Sequence, residues 1–300
     1  MRSHDARHAI ALHSASLMLA RGFALAGVTL MYDRILIPVD GSAYGEEVFP
    51  HALGIARATG VRLSLVRFIG SAAEHAVAAQ QLGALAASVS GDARAIVAPG
   101  DIADAIIEEA RRVPRTLIVM TSHGRSGLME AMLGSVALRV VRHAGQPVVV
   151  HRPRGESSGT PHEPMPIQSV VLPLDGSQVS EVMTQEAATF ARWIGADVTV
   201  VTAITAAPQP GRDTPRDDTL ASSFLRSRAD GIAARYGVRT SWEVLHGEPS
   251  ESIARFVENR RGAMLAMTTH GRPPLESAIL GSVTAGCLRK GGVPVLTRLP

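Results

Sequence analysis

Apolar residues fall along this chain in short, nearly continuous runs separated by longer amphipathic stretches. Segments such as TLIVM (116–120) and PVVV (147–150) have no polar alternation. A strand of that kind is buried on both faces, as in a parallel sheet covered by helices. The pattern predicts strands at 34–40, 61–68, 93–98, 116–121 and 147–151, with helices at 43–59, 72–89, 101–112 and 135–144 between them. It then starts again: strands at 168–175, 197–204, 238–245, 263–268 and 293–298, and helices at 178–194, 218–236, 249–260 and 282–290. Strand and helix alternate throughout. With right-handed crossovers, each half becomes an α/β doubly wound five-stranded parallel sheet with helices on both faces.

The two halves are copies. RILIPVDGS (34–42) matches SVVLPLDGS (169–177), and TSHGRSGLMEAMLGSV (121–136) matches TTHGRPPLESAILGSV (268–283). Asp40 and Asp175 are 135 residues apart, whereas His123 and His270, and Gly134 and Gly281, are 147 apart. Copy two therefore carries about twelve extra residues. The Pro- and Asp-rich stretch 207–218 is the expected insertion, read as an exposed loop. RPRGESSGTPHEPMP (152–166) has the composition of a linker. The expected organisation is an extension at 1–31, a first domain at 32–152, a linker at 153–166 and a second domain at 167–300. The first 30 residues are Arg- and Ala-rich and have no counterpart in copy two. They read as a targeting segment or, better, as an upstream extension outside the fold. His13 and Arg21 interrupt their apolar run, which argues against a membrane span.

Composition narrows the partners. The net charge is only +3, basic residues are scattered, and no run of like charge suggests a nucleic-acid arm. A single cysteine, Cys287, excludes an internal disulfide and a cysteine-based metal cage, and suits a reducing, cytoplasmic setting. The chain has no G-x-G, no Gly-Lys pair and no H-E-x-x-H. A dinucleotide fingerprint, a Walker loop and that zinc motif are thereby excluded.

Two segments at predicted strand ends carry the candidate chemistry. The first is Asp40-Gly41-Ser42, repeated as Asp175-Gly176-Ser177. On shape alone it serves equally as a helix cap or as an acceptor for a ligand's amine or hydroxyl. The second is His123-Gly124 followed by Gly134-Ser135, repeated as His270-Gly271 and Gly281-Ser282. Glycines let the backbone approach a phosphate, and a helix N-terminus presents free N–H groups and a positive dipole end. A lone instance would read as an ordinary loop and cap. Two instances at equal spacing, each paired with an Asp-Gly-Ser strand end, make a joint signal.

These paired motifs resemble the universal stress protein family over both copies. The resemblance implies a strand order of 3-2-1-4-5 in each copy and ATP as ligand, accompanied by Mg2+ or Mn2+. The implied contacts in copy one are Pro38, Val39, Asp40, Phe68, Met120, Thr121, His123, Gly124, Arg125, Gly134, Ser135 and Val136. In copy two they are Pro173, Asp175, Ala203, Thr268, His270, Gly271, Gly281, Ser282 and Val283. Family members commonly dimerise through their last strands, so strands 147–151 and 293–298 are expected to pair and make one chain a pseudo-dimer. Further homodimerisation and an unidentified protein partner are compatible with this; nucleic acid and membrane are not expected partners.

The chain departs from the family pattern Gly-x2-Gly-x9-Gly-Ser/Thr at its first glycine, replaced by Thr121 and Thr268. Copy two also has Pro273-Pro274 where copy one has Ser126-Gly127, which removes two N–H donors. The expectation is an ATP-binding regulatory protein, not an enzyme, with copy one as the stronger site. The alternatives are a nucleotide-independent scaffold of the same fold, and a slow ATPase for which only His123, Arg125 and Thr121 are available.

Overall fold

The computed structural model describes residues 31–123, 133–155, 163–205, 216–269 and 281–299. Copy one contains β1 (Arg34–Pro38), α1 (Ala43–Glu46), α2 (Phe49–Thr59), β2 (Arg62–Ile69), a 3-10 turn (Ala72–Glu74), α3 (His75–Ser88), β3 (Asp92–Val97), α4 (Ile102–Arg111), β4 (Thr116–Thr121), α5 (Ser135–His143) and β5 (Val148–His151). Copy two contains β6 (Ser169–Pro173), α6 (Gln178–Ile194), β7 (Asp197–Ile204), α7 (Arg216–Tyr236), β8 (Thr240–His246), α8 (Pro249–Glu258), β9 (Ala263–Thr268), α9 (Ser282–Lys290) and β10 (Val295–Arg298).

The strands form one ten-stranded sheet in the order β3-β2-β1-β4-β5-β10-β9-β6-β7-β8. Each half has the expected 3-2-1-4-5 order. All neighbours within a half are parallel. The seam is antiparallel, with Val295 opposite Val150 and Thr297 opposite Val148. The last strands therefore pair as expected. The seam removes what would otherwise be two exposed apolar edges.

Helices cover both faces, and each face has a core spanning both copies. On one side Phe49, Ile55 and Leu65 join Leu172, Phe190 and Trp193; Tyr32 meets Trp193 edge-on at 5.3 Å between ring centroids. On the other, Ile106, Val140 and Val150 join Ile253, Leu265 and Val295.

One predicted helix is corrected. The pattern gives a single helix at 43–59, but the structure breaks it between Glu46 and Phe49. Pro50 explains the break: it has no N–H, and its ring would clash with the carbonyl four residues earlier. Copy two has no proline there, and α6 runs unbroken over 17 residues. The insertion also resolves more finely. Ser64 pairs with Asp92, but its counterpart Thr199 pairs with Ser241. The β7–β8 crossover is thus fourteen residues longer than its copy-one counterpart, and the following connection two shorter.

The copies solve one packing problem in different ways. In copy one, Glu109 of α4 is 3% exposed, and Arg34 Nη1 lies 3.0 Å from its carboxylate. Arg34 also donates to the Glu109 carbonyl and to Thr116 Oγ1, while Arg94 approaches the carboxylate at 3.4 Å. In copy two the corresponding positions hold Ser169, Phe256 and Ala263. There a hydroxyl ladder, Ser169–Thr199–Ser241, links the three strands at 3.1 and 3.0 Å.

His51 of α2 and His151 at the end of β5 meet with ring centroids 4.7 Å apart and planes tilted by 50°, both buried. Burial pushes His51 down from 6.5 to about 4. Burial, then the neighbouring His51 and Arg154, push His151 down to about 3. Both are neutral in the fold at neutral pH, whereas in the unfolded chain they titrate near 6.5. Their depressed values keep stability whole above that pH, and it is lost as pH falls from about 6.5 toward 4. Urea unfolding should lose up to about 1.4 kcal/mol per pH unit for each histidine in that window. His51→Gln with His151→Gln should flatten the slope; an unchanged slope would show that other groups set acid stability.

Candidate functional site

In the sheet of copy one, β1 has β2 on one side and β4 on the other. The crossovers leave β1 and β4 toward opposite sides, which opens a crevice at their carboxyl ends. A cavity of about 410 Å³ occupies it. Its walls come from the end of β1 (Pro38, Val39, Asp40), the end of β2 (Phe68), the end of β4 (Met120, Thr121, then His123) and the start of α5 (Gly134, Ser135, Val136). These ten residues were all implied by the resemblance. Gly124 and Arg125 lie outside the described residues. Motif reading did not single out Gly45, Arg67, Glu74, Ile102, Ile106 and Ser122, which line the same cavity. The i, i+4 pair Ile102 and Ile106 was visible as part of an apolar helix face, but nothing local says which end of that face is open.

Asp40 forms one wall. Its Oδ1 accepts from the Ser42 N–H at 2.9 Å and from the Ser42 hydroxyl at 2.6 Å. Ser42 Oγ in turn accepts from the Gly45 N–H at 3.1 Å and caps α1. Thus the two readings of Asp-Gly-Ser are compatible: serine does the capping, while the acid lines the cavity. Gly45 must be small, because a Cβ there would stand 2.8 Å from Asp40 Oδ1.

The opposite wall is the N-terminus of α5. Its N-cap is Gly134, which has no side chain with which to cap the first-turn N–H groups. Ser135, Val136 and Ala137 border the cavity instead. Uncapped N–H groups with the positive end of a helix dipole attract an anion. The Gly134 N–H donates to the Ser122 carbonyl at 2.8 Å. A Cβ at Gly134 would stand 3.0 Å from that oxygen, a contact tighter than side chains usually make, so the close approach favours glycine. Buried His123 meets the Ser122 hydroxyl through Nδ1 at 2.9 Å.

Copy two repeats the acid, and among the described residues the space beside it has a different lining. Asp175 Oδ1 accepts from the Ser177 N–H at 3.0 Å and hydroxyl at 2.6 Å. Burial works against its ionised form, but the Ser177 bonds outweigh this and hold the carboxyl below its ordinary range. The space beside it is about 300 Å³, bordered by Asp175, Gly176, Thr202, Ile204 and, from α7, Leu220, Ala221 and Phe224. Pro173, Ala203, Thr268, Gly281, Ser282 and Val283 do not border that space. α7 lies in the longer β7–β8 crossover, as α3 does in the shorter one of copy one, and it adds Leu220 and Phe224 to that border. α9, like α5, starts at a glycine without a side-chain cap. His270, Gly271, Pro273 and Pro274 lie outside the described residues. Among the described residues no group of three or more His, Cys, Asp or Glu is placed to hold a metal ion. No helix among them is long and apolar enough to cross a membrane.

The architecture is a doubly wound α/β domain present twice, with an acid at the end of the first strand and an uncapped helix start after the fourth in each copy. The sequence profile of the Universal stress protein family matches residues 31–88, 71–152 and 166–297, and the chain belongs to that family. A universal stress protein of Mycobacterium tuberculosis is 31% identical over 185 residues, covering 60% of this chain and 60% of that protein. The chain thus matches less than two thirds of that relative's length. A second from the same organism is 28% identical over 233 residues, covering 72% and 70%. The crystal structure of a universal stress protein from Archaeoglobus fulgidus superposes with a TM-score of 0.60 at 19% identity, covering 90% of this chain and 98% of that one. This likeness is one of fold.

Proposed function

We propose that copy one binds an adenine nucleotide, ATP with Mg2+ or Mn2+, and that the protein acts as a regulatory member of its family in stress physiology, without efficient catalysis. The observation that carries this is the pairing of Asp40 with the uncapped start of α5 across a single cavity. Asp40 is an acceptor for the hydroxyls of the nucleoside end. The N–H groups of α5, with Ser135, suit the phosphates. The cavity falls within the range of small-molecule sites. The cation would arrive with the phosphates, since the described residues offer no cage for it. Bound nucleotide would be read by a protein partner in the cytoplasm.

Hydrolysis would need a group to activate water. The candidate base His123 is buried, with Nδ1 engaged by Ser122. A steady-turnover assay should show no sustained ATP hydrolysis. The scaffold reading is favoured for copy two alone, where apolar Leu220 and Phe224 border the space beside Asp175.

The test is the nucleotide content of the purified protein. Denaturation and mass spectrometry should release an adenine nucleotide at about one per chain, or, after stripping, calorimetry should show ATP binding. No nucleotide and no binding would overturn the reading.

A further inference from the structure

The segment joining the copies has a linker's composition, yet both described ends are held against copy one. At the far end the Met165 N–H donates to the Pro50 carbonyl at 2.8 Å, and a Cβ at Gly54 would collide with the Met165 carbonyl. At the near end Glu47 receives the backbone. One of its carboxylate oxygens accepts from the Arg154 N–H at 2.6 Å and the other from the Gly155 N–H at 2.8 Å. Gly155 has φ +79°, and a Cβ there would stand 3.4 Å from the Tyr44 ring. The Arg154 side chain crosses to copy two, 3.3 Å from Glu258 Oε1 and over Gly292.

Glu47 follows directly on α1, the single turn that begins at Ser42. Ser42 is also the partner of Asp40 at the cavity wall. α1 is a single turn, capped by Ser42 at its start and followed by Glu47, and it runs on through buried Val48 and Phe49 into α2. Asp40 at the cavity wall holds Ser42 at one end, and the Arg154-Gly155 backbone meets Glu47 at the other.

We propose that Glu47 is a latch coupling the copy-one cavity to the inter-copy segment: a nucleotide at Asp40 and the attachment of Arg154-Gly155 to Glu47 strengthen each other. This rests on the reading that copy one holds a nucleotide. Either event orders the same short turn, so the second meets a turn whose ordering cost has already been met. Copy two has no equivalent. Its helix runs unbroken from the same cap, and the residue at the place of Glu47 is Val182, which is exposed. The latch therefore reports on copy one alone, and Arg154 carries the report to Glu258.

The Arg154–Gly155 bond is a tryptic site, which makes the latch measurable. In the full chain, saturating ATP with Mg2+ should slow the appearance of the fragment beginning at Gly155, identified by mass spectrometry, about five-fold. Coupling is reciprocal, so Glu47→Gln should weaken ATP binding by the same factor, near 1 kcal/mol, in calorimetry. Cleavage of that variant should be fast and indifferent to ATP. Tyr44→Ala should act in the same direction, and it carries the test if Glu47→Gln fails to fold. If ATP binds the parent but leaves cleavage unchanged, or if Glu47→Gln binds ATP as the parent does, the latch is overturned while nucleotide binding stands. If calorimetry shows no ATP binding to the parent, both fall.

Discussion

Glu109→Ala should destabilise the protein by about 3–5 kcal/mol, read as a shift in the urea midpoint with little change in slope. Glu109 is 3% exposed and Arg34 11%, so removing the carboxylate leaves a buried guanidinium without its charge partner. Breaking one side of a buried pair is costly because the remaining charge keeps its desolvation penalty. Arg34 would retain only Thr116 Oγ1 and a backbone carbonyl. Arg94→Ala should cost far less, because that side chain is half exposed and its pairing is screened. Copy two supplies the control. The double replacement Arg34→Ser with Glu109→Phe installs the residues found at its equivalent positions. It should recover most of the loss, since an apolar replacement of a buried pair is often neutral. A Glu109→Ala loss below about 1 kcal/mol would show the network to be solvated, as ordinary surface pairs are.

The second large effect separates the two copies. Asp40→Ala or Gly134→Val should remove most high-affinity ATP binding, while Asp175→Ala should change little. On the proposed reading Asp40 is the acceptor at the nucleoside end. Gly134 cannot carry a branched side chain, since even a Cβ stands 3.0 Å from the Ser122 carbonyl. Forcing valine there should displace the start of α5 and with it the N–H groups proposed to meet the phosphates. In copy two, Pro273 and Pro274 replace two N–H donors. Each charge-assisted bond lost to a phosphate forfeits roughly 1.5–3 kcal/mol. Since about 1.4 kcal/mol is tenfold in affinity, copy two should bind ATP at least about tenfold more weakly. Calorimetry on the three variants decides. Two equal sites, each removed by its own mutant, would show that neither the prolines nor the α7 side chains matter.

The inner strands were legible because burial on both faces leaves few polar positions to blur them: 116–121 and 263–268 are predicted and observed with the same bounds. The pseudo-dimeric seam was implied by the family resemblance, applied to two joined copies. Copy one's acid and glycine lip were legible because each sits in a motif stated twice. What the sequence hid was non-local. Glu109 reads as a polar residue in an amphipathic helix; its partners Arg34 and Arg94 arrive from distant strands. The break near Pro50 was local and readable, but the helical pattern on both sides masked it. Copy two's narrower space depends on where a longer crossover delivers Leu220 and Phe224, which spacing alone does not fix. Nor does a Pro-, Gly- and Ser-rich segment announce that Glu47 will hold its backbone.

The antiparallel seam also gives the molecule two poles. Strands within each copy share a direction, and the directions reverse between β5 and β10. Carboxyl ends of the first five strands therefore face one way and those of the last five the other. The mouth beside Asp40 and the mouth beside Asp175 open toward opposite rims of the same sheet. A partner capping one rim leaves the other in solution, so a single chain can be tethered at one end and still sample its surroundings at the other.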